Sequence, residues 1–218
     1  MEGIQLTKGH ITKNKIYRCA KRSFYDVGYN KTTITKISKE LGIGLGNITY
    51  YFKTKDSIAT QIWKDFLKSI YTCIDPYLED NCGFFFRYYV HIFVYYNVIM
   101  SDPHRKRFFA EIQAQQASYK VIPPAVEFAY EEFIKEFNLR LTPFQCSVLK
   151  YADLGARREV MLKYLDEELE MPVNDLAITV TTNMCKLWGI PDEIIYRTGY
   201  NALETFKKID YSEIDFLK

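Results

Sequence analysis

The chain has 218 residues, of which 48% are hydrophobic and 16% aromatic, enough for the core of one large domain or two modest ones. Its 29 basic and 27 acidic residues nearly cancel, so the overall charge indicates no class of partner. The five cysteines form no CxxC pair, and the N-terminus has no apolar run behind a basic start. We therefore expect reduced thiols, no secretory signal and a cytoplasmic protein.

A first helix is predicted from about Thr12 to Val27, ending at Gly28. Basic residues cover one side of this helix. Its apolar residues recur along the other side at helical spacing: Ile16, Cys19, Ala20, Phe24 and Val27.

A short second helix followed by a glycine turn is predicted to begin at Thr33. The Thr33 hydroxyl can accept a hydrogen bond from an N–H group of the first turn. Gly42 lies where a helix ends in the left-handed conformation, which glycine adopts without steric penalty. The inner face has the i, i+3, i+4, i+7 spacing of an amphipathic helix: Ile34, Ile37, Ser38 and Leu41.

A third helix begins near Gly44 or Leu45 and turns Ile48 and Phe52 toward the core. Two short helices joined in this way form a helix-turn-helix, whose second helix enters the major groove of DNA. Asn47 could then pair with an adenine edge. Three further side chains on the outer faces could contact phosphates or thymine methyl groups: Thr49, Tyr50 and Tyr51.

This segment has two other interpretations. The spacing Gly42-x-Gly44-x-Gly46 could belong to a nucleotide-binding loop, but no strand precedes it and the third fingerprint glycine is replaced by Asn47. The residue pattern alone is also consistent with an ordinary helical hairpin within an all-helical core. Tyr50 could likewise pack on the first helix as a core residue.

The distribution of charge favours the DNA-binding interpretation. Residues 1–58 contain 11 Lys or Arg residues and four acidic residues, whereas residues 59–218 contain 18 basic and 23 acidic residues. A basic region on a neutral or acidic body is typical of phosphate binding, because each neutralised phosphate releases counterions.

The stretch from about Thr12 to Ile58 resembles the DNA-binding domain of the TetR family of transcriptional regulators. Two positions depart from the family pattern: Gly44 stands where Ser or Thr is usual, and Thr49 where the first Tyr of an aromatic cluster is usual. The matching residues are Phe24, Gly28, Tyr29, Thr32, Thr33, Ile34, Ile37, Leu41, Gly42, Ile43, Gly46, Ile48, Tyr50, Tyr51, Phe52, Lys53 and Lys55.

The resemblance implies roles for residues of the helix-turn-helix. Contacts to the DNA backbone are expected from Thr33, Tyr50, Tyr51 and Lys55. The side chains nearest the base edges would be Lys36, Leu45, Asn47 and Thr49, and Gly44 and Lys53 complete the predicted DNA-binding set. For Lys36 the alternative is a solvated helix face.

The remainder of the chain is predicted to be helical and segmented by prolines. One long helix should begin at Lys55 and stop before Pro76. Further helices should begin at Pro103, at Pro123 and near Pro143.

An apolar run from Gly83 to Met100 is too interrupted by polar residues for a membrane helix, so we expect a central helix of a second domain. Arg87, His91 and Tyr95 share one stripe of this helix. The stripe could be the polar edge of a ligand cavity. We favour the other interpretation, an exposed or inter-helix stripe with Arg87 paired to an acid.

Aromatic residues are unusually dense in this central helix, and they must face several directions. We expect them to border a mostly apolar pocket suited to a flat hydrophobic or cationic ligand. The predicted pocket residues are Tyr88, His91, Tyr95, Tyr96, Phe109, Tyr130 and Tyr151.

Two final helices are predicted over about Pro172 to Trp188 and Pro191 to Lys207. By the resemblance, they form a four-helix interface with a second subunit. The alternative is that they close the core of the domain. The predicted interface residues are Leu176, Val180, Met184, Ile195, Ala202 and Phe206.

The sequence as a whole predicts an all-α protein with a DNA-binding domain over 1–58 and an effector-binding and dimerisation domain over 59–218. We expect a homodimeric regulator, a repressor released from a palindromic operator by a small molecule. No enzyme motif, catalytic residue, metal site or cofactor is predicted. The alternative is a helical lipid- or ligand-binding protein whose basic head meets a membrane surface.

Overall fold

The computed structural model describes residues 8–115 and 123–217, and this part of the chain is all-α, as predicted. A short 3₁₀ turn, Asp75–Tyr77, follows the fourth helix. The helices are α1 (Lys8–Val27), α2 (Ile34–Leu41), α3 (Leu45–Tyr51), α4 (Lys55–Ile74), α5 (Phe84–Met100), α6 (Pro103–Ala114), α7 (Pro123–Glu136), α8 (Pro143–Leu165), α9 (Val173–Leu187) and α10 (Asp192–Phe206).

Helices α1 to α3 form the head, which packs around a small apolar core. The predicted caps of α2 are confirmed: the Thr33 hydroxyl accepts from the Lys36 N–H, and Gly42 ends the helix with φ of 64°. The fully buried side chains of the core include Ile16, Phe24, Ile37 and Ile48.

Helix α4 joins the head to the rest of the chain. Its first turn is closed by a capping box, in which Thr54 and Ser57 each bond the backbone of the other. The helix then runs without a break to Ile74. The domain boundary predicted between residues 58 and 59 thus falls inside a continuous helix, so the division into two domains stays a prediction.

Helices α5 to α10 form the body, with α5 at its centre. Helix α5 packs against α4, α6, α7, α9 and α10. A helix that is apolar on nearly all sides is buried in the core of a larger unit, and α5 fits that rule. Among the described helices none is both long and apolar enough to cross a lipid bilayer.

The prolines mark helix starts, as the sequence predicts. Helix α6 begins at Pro103 behind Asp102, whose carboxylate accepts from the N–H groups of His104 and Arg105. Helix α8 begins at Pro143 behind Thr142, which forms a capping box with Gln145. A missing proline N–H costs nothing in a first turn, where it would lack a partner within the helix.

The residues predicted for the dimer interface lie elsewhere. They are buried in the core of the single chain, where α9 and α10 pack on α5. A Cβ at Gly199 would lie 3.3 Å from the Tyr89 ring, and the Phe206 and Phe93 rings stack 5.5 Å apart. The prediction was wrong because an apolar stripe of small residues suits a helix of the same chain as well as a partner. The residues concerned are Leu176, Val180, Met184, Ile195, Ala202 and Phe206.

A C-terminal tail after α10 packs back on the junction of head and body, a contact that the sequence does not predict. Phe216 is fully buried, with its ring centroid 4.2 Å from that of Phe66 and 4.8 Å from that of Trp63. Asp215 forms an ion pair with Lys21 of α1 at 2.8 Å. The tail thereby touches α4 and the head together.

Candidate DNA interface and ligand cavity

Helix α3 is held by two buried side chains and presents the others outward. Ile48 and Phe52 are buried in the head core, as predicted. Tyr50 is 81% exposed, which excludes its packing as a core residue. Its ring meets that of half-buried Tyr51 edge-on, with centroids 5.0 Å apart. The exposed predicted residues of α3 and its start are Gly44, Leu45, Asn47, Thr49 and Tyr50.

Two of the predicted hydroxyl groups already make local hydrogen bonds. The Thr49 Oγ1 donates to the Gly46 carbonyl at 3.1 Å, so its methyl group is the part left to meet a base. The Thr33 Oγ1 accepts from Lys36 and can still donate its own proton. Lys36 and Lys53 are exposed.

Lys55 is partly committed to the fold. Its Nζ donates to the Tyr29 carbonyl at 2.8 Å and lies 4.0 Å from the centroid of the Tyr29 ring. Burial lowers the pKa of Lys55, an effect that the nearby carboxylates of Asp56 and Glu111 oppose. Because an ammonium group carries three donors, the contact with Tyr29 leaves others for a phosphate.

Helix α6 packs against the end of α1 and the loop that follows it. The Glu111 carboxylate accepts from the Asn30 N–H at 2.8 Å and lies so close to Gly28 that a Cβ there would be 2.7 Å away. Gly28 also has φ of 90°, which favours glycine. On the same side, the Phe108 ring lies 5.4 Å from that of Phe24.

The body contains a cavity of about 560 Å³ between α4, α5, α6, α7, α8 and α9. Its wall is largely aromatic and aliphatic. All seven residues predicted for the pocket contribute to this wall: Tyr88, His91, Tyr95, Tyr96, Phe109, Tyr130 and Tyr151. Tyr151 is exposed and therefore lies at the rim.

A buried polar cluster on α8 forms one side of the cavity. The Asp153 carboxylate accepts from the Tyr130 hydroxyl at 2.5 Å and pairs with Arg157 at 3.4 Å. Burial and the neighbouring Asp153 charge raise the pKa of Tyr130. This cluster was not predicted from the sequence. The i, i+4 spacing of Asp153 and Arg157 was the available signal, but it also describes an ordinary surface pair.

His91 is buried in the wall on α5. Its ring lies 4.6 Å from that of Tyr71 and 6.3 Å from that of Tyr95. Neither ring nitrogen has a hydrogen-bond partner among the described residues. Burial lowers the pKa of His91 to about 3, so the imidazole is neutral at physiological pH.

The stripe of Arg87, His91 and Tyr95 divides between the two interpretations considered for it. Arg87 pairs with Asp75, as the favoured interpretation has it. His91 and Tyr95 instead line the cavity. Arg87 lies outside the cavity because it is near the start of α5, where the helix approaches the 3₁₀ turn that contains Asp75.

The other charged groups of the wall lie toward α7 and the end of α6. Lys150 pairs with Glu127 at 2.6 Å. Arg158 donates from Nε to the Gln113 carbonyl at 2.9 Å and from Nη2 to the Ala114 carbonyl at 3.3 Å. Over residues 8–115 and 123–217, no three His, Cys, Asp or Glu side chains are grouped in a way that could hold a metal ion.

Comparison with known proteins places the head in a family. Residues 16–62 match the family model described as bacterial regulatory proteins of the tetR family. No curated protein matches the chain.

Solved structures resemble most of the chain in fold. A tetR-family transcriptional regulator from Streptomyces coelicolor is 12% identical, with a TM-score of 0.55 over 94% of this chain and 91% of its own. The regulator TylP from Streptomyces fradiae is 16% identical, with a TM-score of 0.52 over 93% of this chain and 99% of its own.

A third structure was solved with a ligand. Thermus thermophilus FadR, a TetR-family transcriptional repressor in complex with lauroyl-CoA, is 14% identical, with a TM-score of 0.56 over 81% of this chain and 92% of its own. The family match at the head and the shared fold of head and body agree with the resemblance found in the sequence. Residues 16–62, which contain the helix-turn-helix, therefore match the tetR family of bacterial regulatory proteins, and the chain shares the fold of solved TetR-family regulators.

Proposed function

We propose that this protein is a homodimeric repressor that binds a palindromic operator and is released by a small molecule in the body cavity. The observation that supports the proposal is that one helix, α6, contacts both the head and the cavity. The head presents α3 outward, and the cavity has an aromatic wall. The chain is also proposed not to be an enzyme, because the family model that it matches and the solved structures that share its fold are those of transcriptional regulators.

In the DNA complex, α3 would lie in the major groove. Asn47 is exposed on that helix and can make a bidentate contact with adenine. Tyr50, Tyr51 and Lys53 would flank it on phosphates, which set register without reading sequence. Gly44 provides no hydroxyl at the start of α3, so the first phosphate contact there would come from a backbone N–H.

Helix α6 is proposed to couple the two sites because its opposite faces touch both. Phe109 and Gln113 line the cavity. Phe108 and Glu111 contact the end of α1 and the following loop. A ligand that fits the cavity better in one position of α6 would favour the matching position of the head, and only that difference in affinity can release DNA.

The proposed dimer uses the outer faces of α9 and α10, not the buried stripes first predicted. Tyr196 and Tyr200 are 54% and 67% exposed and lie one turn apart on α10, with exposed Leu187 on α9. Aromatic residues exposed in a patch are typical of a subunit interface. A dimer that binds a palindromic operator has to place its two α3 helices in successive major grooves, and the proposed interface is expected to set that spacing.

A band-shift assay on the DNA upstream of its own gene tests the proposal. Binding should be lost when that DNA is replaced by a shuffled duplex of equal length and composition. The alternative function, a lipid- or ligand-binding protein with a membrane-surface head, predicts equal weak binding to both duplexes and tight sedimentation with phosphatidylglycerol vesicles. That result would overturn the assignment to a regulator.

A further inference from the structure

Arg158 is the charged residue of the cavity wall that no carboxylate neutralises. It lies on α8, is half-buried and lines the cavity, and it has no acidic partner among the described residues. The other two cationic side chains of the wall are each paired with a carboxylate. Those pairs are Lys150 with Glu127 and Arg157 with Asp153. The wall therefore contains one cationic side chain more than it contains carboxylates.

The hydrogen bonds of Arg158 leave one edge of its guanidinium available. Nε donates to the Gln113 carbonyl at 2.9 Å, and Nη2 donates to the Ala114 carbonyl at 3.3 Å. A guanidinium carries five N–H groups in a planar fork, so the two bonds leave further donors on Nη1 and Nη2 without a partner among the described residues. Residues 116–122, which follow this end of α6 in the chain, include no Asp or Glu. A carboxylate can accept from both Nη atoms in a bidentate contact.

The wall around this charge is largely aromatic. Tyr71, Tyr88, Tyr95 and Phe109 contribute to it from three different helices. Aromatic rings attract other rings in stacked or edge-on arrangements beyond the effect of buried area alone. The volume of about 560 Å³ lies within the range of small-molecule sites, about 300–1,000 Å³. A flat aromatic body therefore gains more from this wall than a saturated body of the same size.

We propose that the cavity binds a small aromatic molecule with one negatively charged acid group, and that this group pairs with Arg158. The inference rests on the proposed function for its biological role, since such a molecule would be the effector. It replaces the hydrophobic or cationic ligand predicted from the sequence with an anion, because a cation in the cavity would be repelled by the unpaired guanidinium.

The position of Arg158 links this ligand to the helix proposed to couple the two sites. The carbonyls that accept from Arg158 belong to Gln113 and Ala114, the last two residues of α6. Helix α6 reaches the head through Phe108 and Glu111. An acid group on Arg158 competes with the end of α6 for the same guanidinium, so the bound anion acts directly on the coupling helix.

Four bicyclic probes test the ligand class by calorimetric titration of the full chain at pH 7. They are 2-naphthoate, its uncharged amide 2-naphthamide, the cation 2-naphthylmethylammonium and the saturated acid decahydro-2-naphthoate. We expect 2-naphthoate to bind about tenfold or more tightly than the amide and the ammonium, because a charge-assisted bidentate contact is stronger than a neutral one. It should bind about threefold or more tightly than the saturated acid. Equal or tighter binding of any of the other three would overturn the proposal, as would failure of all four to bind.

Three variants locate the acid group. Arg158→Gln removes the charge, so the preference for 2-naphthoate over 2-naphthamide should fall about tenfold or vanish. Arg158→Lys keeps the charge but loses the planar fork, so it should retain part of the preference. Lys163→Gln removes a positive charge from the same helix outside the cavity and should leave the preference unchanged. The same preference in the parent chain and in both Arg158 variants, each shown by circular dichroism to be folded, would remove Arg158 from the site.

The two levels of the proposal fail separately. If 2-naphthoate binds with the expected selectivity but leaves the band shift on operator DNA unchanged, the ligand class stands and release by an effector is wrong. If the ammonium both binds more tightly and releases the DNA, the regulator stands and the ligand class is wrong.

Discussion

The head and the body use aromatic residues in opposite ways. In the head, Tyr50 projects into solvent from a helix anchored by Ile48. In the body, most aromatic residues of α5 are buried or half-buried, and Tyr88 and Tyr95 line the cavity. An exposed ring loses its contact with water only when another molecule binds over it. A ring in a cavity wall is covered when a ligand enters the cavity. The proposed DNA-binding face and the proposed ligand cavity are thus separate surfaces of one chain.

The junction between these regions is better packed than either recognition surface. Phe108 of α6 contacts Phe24 in the head, Trp63 in α4 and Phe216 in the tail. Trp63 in turn contacts Tyr95 of the cavity wall, with ring centroids 5.8 Å apart. These ring contacts form a continuous packed connection from the cavity wall to the head.

The largest expected effect comes from removing a ring at the junction. Phe216→Ala should lower the free energy of unfolding by roughly 3–5 kcal/mol, because it leaves a cavity beside Phe66 and Trp63. Tyr50→Ala is the matched control and should change stability by about 0.5 kcal/mol or less, since its ring is exposed. Urea denaturation of both variants measures the difference. Equal losses would mean that the tail is not packed at the junction.

The next effect concerns assembly on the outer face of the body. Tyr200→Glu should raise the dissociation constant of the dimer at least 100-fold, about 2.7 kcal/mol, because an unpaired charge would be buried between subunits. Lys64→Glu, on the exposed side of α4, should leave the dimer intact. Analytical ultracentrifugation over a range of concentrations separates the two. A dimer of unchanged strength in Tyr200→Glu would exclude the proposed face.

Within the head, substitutions of a base-contacting residue and of a phosphate-contacting residue should have different effects on DNA binding. Asn47→Ala should cost roughly 1–3 kcal/mol of discrimination at one base pair per half-site. Lys53→Ala should weaken specific and random DNA alike and reduce the slope of log K against log salt by about 1 per site. Fluorescence anisotropy at several salt concentrations distinguishes them. Equal losses on both kinds of DNA for Asn47→Ala would contradict its role.

The smallest effect concerns acid stability of the body. The pKa of His91 is lowered by burial to about 3, so the unfolded chain binds one more proton than the folded chain between that pH and about 6.5. Stability should therefore fall as the pH drops below about 6.5. His91→Phe should lose about 1–2 kcal/mol less stability than the parent chain between pH 7 and pH 5. Parallel acid profiles in urea titrations would show that His91 is not buried in neutral form.

Local signals made much of the fold predictable. Thr33, Gly42, Pro103 and Pro143 act on the backbone within a turn of their own position, and the structure places helix ends at each. The cavity position could be inferred because the rings of α5 are too many for one neighbour. Such features depend on the local geometry of the backbone and on the number of aromatic residues in a segment, and both can be read from the sequence.

Features that depend on contacts between residues far apart in the chain could not be predicted from the sequence. Val180 on α9 and Ala202 on α10 belong to two apolar stripes whose partner could be α5 or another subunit, and only the folded chain shows that it is α5. Phe216 is buried because Trp63 and Phe66 meet it from far along the chain. The unpartnered nitrogens of His91 likewise became visible only once its neighbours were in place.

Selection of bound duplexes from a random DNA library, read by sequencing, tests most directly the central claim that the exposed face of α3 reads DNA. The account predicts a palindromic consensus whose half-sites lie about one helical turn or somewhat more apart, roughly 10 base pairs or above. The same selection with Asn47→Ala should keep the spacing and lose preference at one symmetric pair of positions. Recovery of no consensus, or of the same consensus at full strength with the variant, would contradict the account.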